Sequence, residues 1–168
     1  DVEKAKETIK KIFGKTVIGV RPPLSYYQGL ADEQAKIEAI SKNGIVYISS
    51  DGRDQNGGIC PPLVENGKVR QPFRYYNGLL EIPGHGWHDT AFVGTKTKVA
   101  QNFKEFPRKK LEFFIVNHYT NLVIEGLQLA EKEKRNIYLG SAFHPQAMAI
   151  YDPELELFSK ILENCEKL

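Results

Sequence analysis

Apolar residues recur along this chain in two rhythms. Val2, Ala5, Ile9, Ile12 and Phe13 fall three or four apart, the spacing of one helix face, and predict a helix over 1–13. Asp1 and Glu3 at its start and Lys10 and Lys11 in its last turn suit the helix dipole, and Gly14 ends it. Ala31, Ala35, Ile37, Ala39 and Ile40 predict a second helix over 30–43, closed by Asn43-Gly44. Between them the rhythm changes to short continuous runs. Val17-Ile18-Gly19-Val20 stops on Arg21-Pro22-Pro23, Ile45-Val46-Tyr47-Ile48 runs into Ser49-Ser50-Asp51-Gly52, and Leu79-Leu80-Glu81-Ile82 stops on Pro83. Each suits a buried strand, because β-branched residues fit a pleated core and proline cannot continue a central ladder.

Residues 52–78 lose both rhythms to glycine, proline and scattered charge, and read as one long loop, of the kind that carries function rather than mere connection. Thr95 to Lys104 is weakly patterned. Leu111, Phe114, Ile115, His118, Leu122, Gly126, Leu127 and Ala130 predict one long helix from about 108 to 134, with a strand over 112–117 as the alternative. A last strand is expected over 137–142, delivering Phe143-His144-Pro145. Asp152 then caps a final helix with Pro153 in its first turn and Leu155, Phe158, Ile161, Leu162 and Cys165 on its apolar face. Helices alternating with strands imply an α/β fold with parallel strands and covering helices, in a single domain over 1–168.

Composition narrows the function classes. With 168 residues, 41% hydrophobic and 26% charged, the chain has material for a core, and a formal charge of +2 gives no reason to expect nucleic acid. No apolar run approaches the roughly 20 residues that span a bilayer, and no membrane partner is expected. Cys60 and Cys165 share no metal-ligand spacing with histidine and leave the compartment open. The chain begins at Asp1 and its only methionine is Met148, so a preceding segment is expected to have been removed or left out.

Chemistry-bearing residues gather where the predicted strands end: Arg21, Asp51, His85 with His88 and Asp89, and His144. In α/β folds the loops at the carboxyl ends of strands build the site. Arg21, on a turn stiffened by two prolines, suits a carboxylate partner. His144 is a candidate general acid or base, with Asp51 to hold its tautomer. His85, His88 and Asp89 are metal-ligand types, but glycines flanking His85 make the segment irregular, so no residue is assigned to a metal. Pro23, Tyr26 and Trp87 are candidate substrate-binding residues, Trp87 for packing or sugar stacking, and His118 reads as structural.

Taken in order, Arg21-Pro22-Pro23 after a short strand, Leu80-Glu81-Ile82-Pro83 with Asp89 beyond it, and Phe143-His144-Pro145 before a last amphipathic helix resemble the polysaccharide deacetylase (NodB-homology) family over nearly the whole chain, as the second half of its domain. The resemblance implies part of a distorted (β/α) barrel that removes N-acetyl groups from sugars with a divalent metal, zinc or similar, held by one Asp and two His. Arg21 would orient the catalytic base, His144 would protonate the departing amine, and Asp51, or else Asp54, would tune that histidine. The family's Asp-Asp and His-x-x-x-His segments do not occur here, and Leu24-Ser25 stands where Tyr-Gly is usual. The N-terminal metal-binding half is therefore expected to be absent, no metal is expected to bind the isolated chain, and the fragment is expected to be inactive alone.

Unpaired parallel strands at the edges imply contact with the missing half or self-association. The alternative function is a non-catalytic carbohydrate-binding or assembly module, with Tyr26, Tyr27, Tyr75, Tyr76 and Trp87 as stacking residues.

Overall fold

The computed structural model describes residues 2–92 and 106–168. Asp1 and the stretch Thr95–Lys104 lie outside them. The chain divides into two compact units, Asp1–Gly57 with Gln71–Gly84, and Gly58–Arg70 with His85–Leu168.

The first unit holds helices α1 (Val2–Phe13) and α2 (Gln34–Lys42) and strands β1 (Gly19–Val20), β2 (Tyr47–Ile48), β5 (Phe73–Arg74) and β6 (Leu80–Glu81). Its sheet is open, in the order β1-β2-β6-β5. The strands β1, β2 and β6 run parallel, with Gly19 opposite Tyr47 and Ile48 opposite Glu81, and β5 adds an antiparallel edge. Backbone bonds carry the pairing past the strand limits, from Val46 N–H to Ile18 O at 2.8 Å and from Ile82 N–H to Ile48 O at 2.8 Å, so the apolar runs read from the sequence are the paired segments. Ile37 of α2 packs on Leu30, Ile45, Ile48, Tyr75 and Leu79. Each such aliphatic side chain contributes about 2–3 kcal/mol on burial.

Helix α1 is amphipathic as expected, yet none of its residues is buried. Val2 touches the core and Lys6 Nζ donates to Asn43 O, while Ile12 and Phe13 stay exposed. Gly14 N–H closes the helix on Lys10 O at 2.9 Å. Helix α2 is shorter than its apolar pattern, since residues 30–33 form a turn with Glu33 N–H on Leu30 O.

The second unit holds the hairpin β3 (Val64–Glu65) and β4 (Lys68–Val69), a 3-10 turn at Asp89–Ala91, and helices α3 (Arg108–Glu133), α4 (Pro145–Tyr151) and α5 (Glu156–Glu166). The long helix is confirmed and its strand alternative falls, because Leu111, Ile115, Val116, Tyr119, Leu122 and Gly126 bury one face. Of these, Leu111, Ile115, Val116 and Tyr119 meet Leu157 and Ile161 of α5, Ala91 of the 3-10 turn and Phe92 just after it.

Three expectations are corrected. Residues 52–78 are no featureless loop, since β3, β4 and β5 lie within them. The hairpin turns on Asn66 and Gly67 with φ of 51° and 73°, the paired positive values that an Asn-Gly turn supplies. Residues 137–142 form no strand. Their carbonyls bond instead to the 85–89 segment, with His85 N–H on Gly140 O and Asp89 N–H on Ala142 O.

The final helix is the third. It begins at Glu156 rather than at Pro153, and an additional helix, α4, precedes it with Pro145 in its first turn. The N-cap of α5 is Leu155 rather than Asp152, whose buried carboxylate nevertheless accepts from Leu157 N–H and Phe158 N–H at 3.1 Å each.

Candidate functional site

In the second unit, two side chains far apart in sequence form one assembly. The 3-10 turn places Asp89 in the interior, fully buried, and the entry to α4 places His144 at the surface with its side chain 45% exposed. His144 Nδ1 lies 2.6 Å from Asp89 Oδ1, and His144 N–H donates to Asp89 Oδ2. Thr90 N–H adds a third bond to the carboxylate at 2.8 Å. A carboxylate can only accept, so it fixes the proton on Nδ1 and leaves Nε2 as the working nitrogen. The arrangement provides a proton carrier of set orientation.

The sequence reading gives tautomer control to Asp51, whereas the structure gives it to Asp89. The separation of 55 residues between Asp89 and His144 carries no local signal. Asp51 is buried in the first unit, where its Oδ1 accepts from Gln28 N–H at 3.0 Å.

Also in the first unit, Arg21 is exposed just beyond β1, with Nη1 donating to Ser49 Oγ at 2.8 Å. Pro23 is exposed beside it. The backbone of Tyr26 clamps the chain around Asp51: its N–H donates to Ser50 O at 2.7 Å and its carbonyl accepts from Gly52 N–H at 3.1 Å. Arg21 and Asp51 thus share the carboxyl side of β1 and β2, and His144 belongs to the second unit.

A residue outside the sequence-based candidates sits at the centre of the first unit. Glu81, fully buried on β6, accepts from Ser50 N–H at 2.7 Å and Asp51 N–H at 3.0 Å through Oε1, and from Ser50 Oγ and Tyr75 Oη, both at 2.6 Å, through Oε2. Tyr75 Oη in turn accepts from Leu30 N–H at 2.8 Å. Burial first, then the Glu81 carboxylate, push the Tyr75 phenol above its ordinary value. The signal was present: a glutamate between Leu80 and Ile82 in a buried strand must find donors for its charge.

His85 is structural. Fully buried His85 donates from Nε2 to Arg70 O at 2.8 Å and accepts at Nδ1 from Gly140 N–H at 3.2 Å, and its burial lowers its pKa. With both ring nitrogens of His85 and both oxygens of Asp89 engaged, the set His85, His88 and Asp89 does not fit a metal. Among the described residues no three His, Cys, Asp or Glu side chains are placed to hold one.

His118 lies flat on Trp87, ring centres 4.3 Å apart and planes 9° apart, and its Nε2 accepts from Trp87 N–H at 2.9 Å. Burial pushes this imidazole down to about 4. Trp87 O also accepts from Tyr119 Oη at 2.6 Å, so the indole is held from both sides of its backbone. No family model, curated protein or solved structure matches the chain significantly.

Proposed function

We propose that this chain carries the proton-donating side of a hydrolase that removes N-acetyl groups from sugars, of the kind the polysaccharide deacetylase resemblance implies. The observation that supports the reading is the Asp89–His144 pair. Cleavage of an acetamide requires a proton for the departing nitrogen, and a half-exposed imidazole oriented through Nδ1 offers one from Nε2. Asp89 acts as the positioning residue, holding the imidazole through Nδ1. Arg21 and Asp51 enter the proposal on the resemblance alone, as does a place for the parallel strands in a distorted (β/α) barrel. The divalent metal that the family uses to activate water would need ligands other than the described side chains, among which no three are placed to hold it.

The test is acetate release from N-acetylglucosamine oligomers by the chain alone and by the chain joined, in cis or as a second polypeptide, to the segment bearing the base and metal ligands. The chain alone is expected to be silent and the completed protein to be metal-dependent. His144→Gln should then lower kcat by about 100-fold or more with little change in KM. A completed protein that is inert on all acetylated sugars, or a His144→Gln variant as active as the parent, overturns the reading.

A carbohydrate-binding module without catalysis is the second reading, favoured by a cavity beside Trp87. Glycan binding that persists in a completed but inert protein would select it.

A further inference from the structure

A cavity of about 260 Å³ opens in the second unit against the Trp87–His118 stack. Pro61, Leu63, Trp87 and Leu122 give it an apolar wall. His118, Asn121 and Glu125 line it from α3, at positions that a helix brings to one face.

Each of these polar groups has capacity to spare. Trp87 N–H occupies Nε2 of His118, and the lowered pKa keeps the ring neutral at pH 7, so the proton is on Nδ1, which has no hydrogen-bond partner among the described residues. The side chains of Asn121 and Glu125 likewise make no hydrogen bond or ion pair there. The site therefore combines an apolar wall, one fixed donor, one amide and one carboxylate within a space just under the roughly 300 Å³ at which ligand pockets usually begin.

We infer that this cavity is a subsite for a single amino-sugar ring, with its ammonium at Glu125, its hydroxyls at Asn121 and His118 Nδ1–H, and its apolar face on the wall that includes Trp87. A lone carboxylate beside neutral donors selects a cation, and the volume admits one ring rather than an oligomer. The choice of an amino sugar over another cyclic amine rests on the hydrolase reading, because removing an N-acetyl group leaves a primary amine that is protonated at neutral pH. The size, the wall and the carboxylate stand without it.

Trp87 is the only tryptophan, so its fluorescence reports the site directly. The 168-residue chain is titrated with glucosamine, N-acetylglucosamine, glucose and cyclohexylamine. Glucosamine is expected to bind at least tenfold more tightly than the two uncharged sugars and than cyclohexylamine. Glu125→Gln should erase the preference over the uncharged sugars without changing the melting temperature, and Asn121→Ala should weaken binding several-fold. No binding, equal binding of the three sugars, or a preference retained in Glu125→Gln overturns the inference. Cyclohexylamine binding as tightly as glucosamine overturns the sugar assignment.

The His144→Gln variant separates this subsite from the hydrolase reading. Glucosamine binding should be unchanged in it whether or not the completed protein deacetylates. Binding lost in His144→Gln counts against a distinct subsite, and inert chemistry with binding intact counts only against the hydrolase.

Discussion

Asp89 Oδ1 and His144 Nδ1 stand 2.6 Å apart, the first group fully buried and the second half exposed. The burial difference directs the pair outward: the carboxylate spends its capacity on His144 and Thr90, and the imidazole offers its other nitrogen to whatever approaches. The same bonds tie the entry of α4 to the 3-10 turn, so the pair is also a structural joint.

Asp89→Ala should therefore destabilise the second unit. It leaves the N–H groups of His144 and Thr90 without their acceptor beside buried surface, a loss of about 2–4 kcal/mol. Asp89→Asn, which retains one acceptor oxygen, should lose about half as much. Urea unfolding followed by Trp87 fluorescence reads both; two variants as stable as the parent would show that the carboxylate carries no part of this joint.

Glu81→Gln is the matching experiment in the first unit. Oε2 is the acceptor for Ser50 Oγ and Tyr75 Oη, and an amide nitrogen there would face two hydroxyls that now donate. Since Tyr75 Oη already accepts from Leu30 N–H, it has little room to reverse, and a loss of about 1–3 kcal/mol is expected. The raised phenol gives a second readout. A group whose folded pKa lies above its unfolded value of 10.0 stabilises the fold fully below that pH and loses the contribution as pH climbs through the folded value. Glu81→Gln removes one cause of the shift, so ultraviolet titration at alkaline pH should find Tyr75 ionising earlier. An unchanged titration would mean that burial alone raises it.

The sequence made the two long-period elements legible because α1 and α3 repeat apolar residues over three turns or more. The parallel strands were legible because prolines and polar clusters punctuate short apolar runs. The segment 137–142 looks the same in composition, yet it finds the turn-bearing 85–89 stretch instead of a sheet, and no local pattern encodes a partner. Asn66-Gly67 did carry a hairpin signal, drowned by the glycines and prolines around it. Within the site, His144 stood out as a histidine next to proline, although the strand expected before it does not form, whereas its partner depends on a contact spanning 55 residues.

Gly86→Ala tests the close approach that seats Trp87. At φ of 69° an L side chain is strained, and a methyl would lie 2.8 Å from His118 Nε2 and 3.0 Å from Leu122 Cδ2. The aromatic stack must shift, and the strain and lost packing together cost about 2–4 kcal/mol. Near-ultraviolet circular dichroism of Trp87 should weaken as the melting temperature falls. An unaltered spectrum with parental stability would show that the 86–87 backbone tolerates displacement.

Acid should destabilise the second unit through His118. Its folded pKa of about 4 lies below the ordinary 6.5 because burial disfavours the charged ring. Between those values the unfolded chain takes up a proton that the native protein refuses, so stability is fully present above pH 6.5 and declines as pH falls through about 4. The contribution at stake is of the order of 3 kcal/mol. His85, also buried and lowered, adds in the same direction. His118→Gln keeps an acceptor for Trp87 N–H and removes the titration, so it should flatten the dependence of the urea midpoint on pH while lowering its value at pH 7. Equal slopes for parent and variant between pH 7 and 4 would show that the ring takes up a proton in the native fold at no cost, and that the stack with Trp87 opens to water.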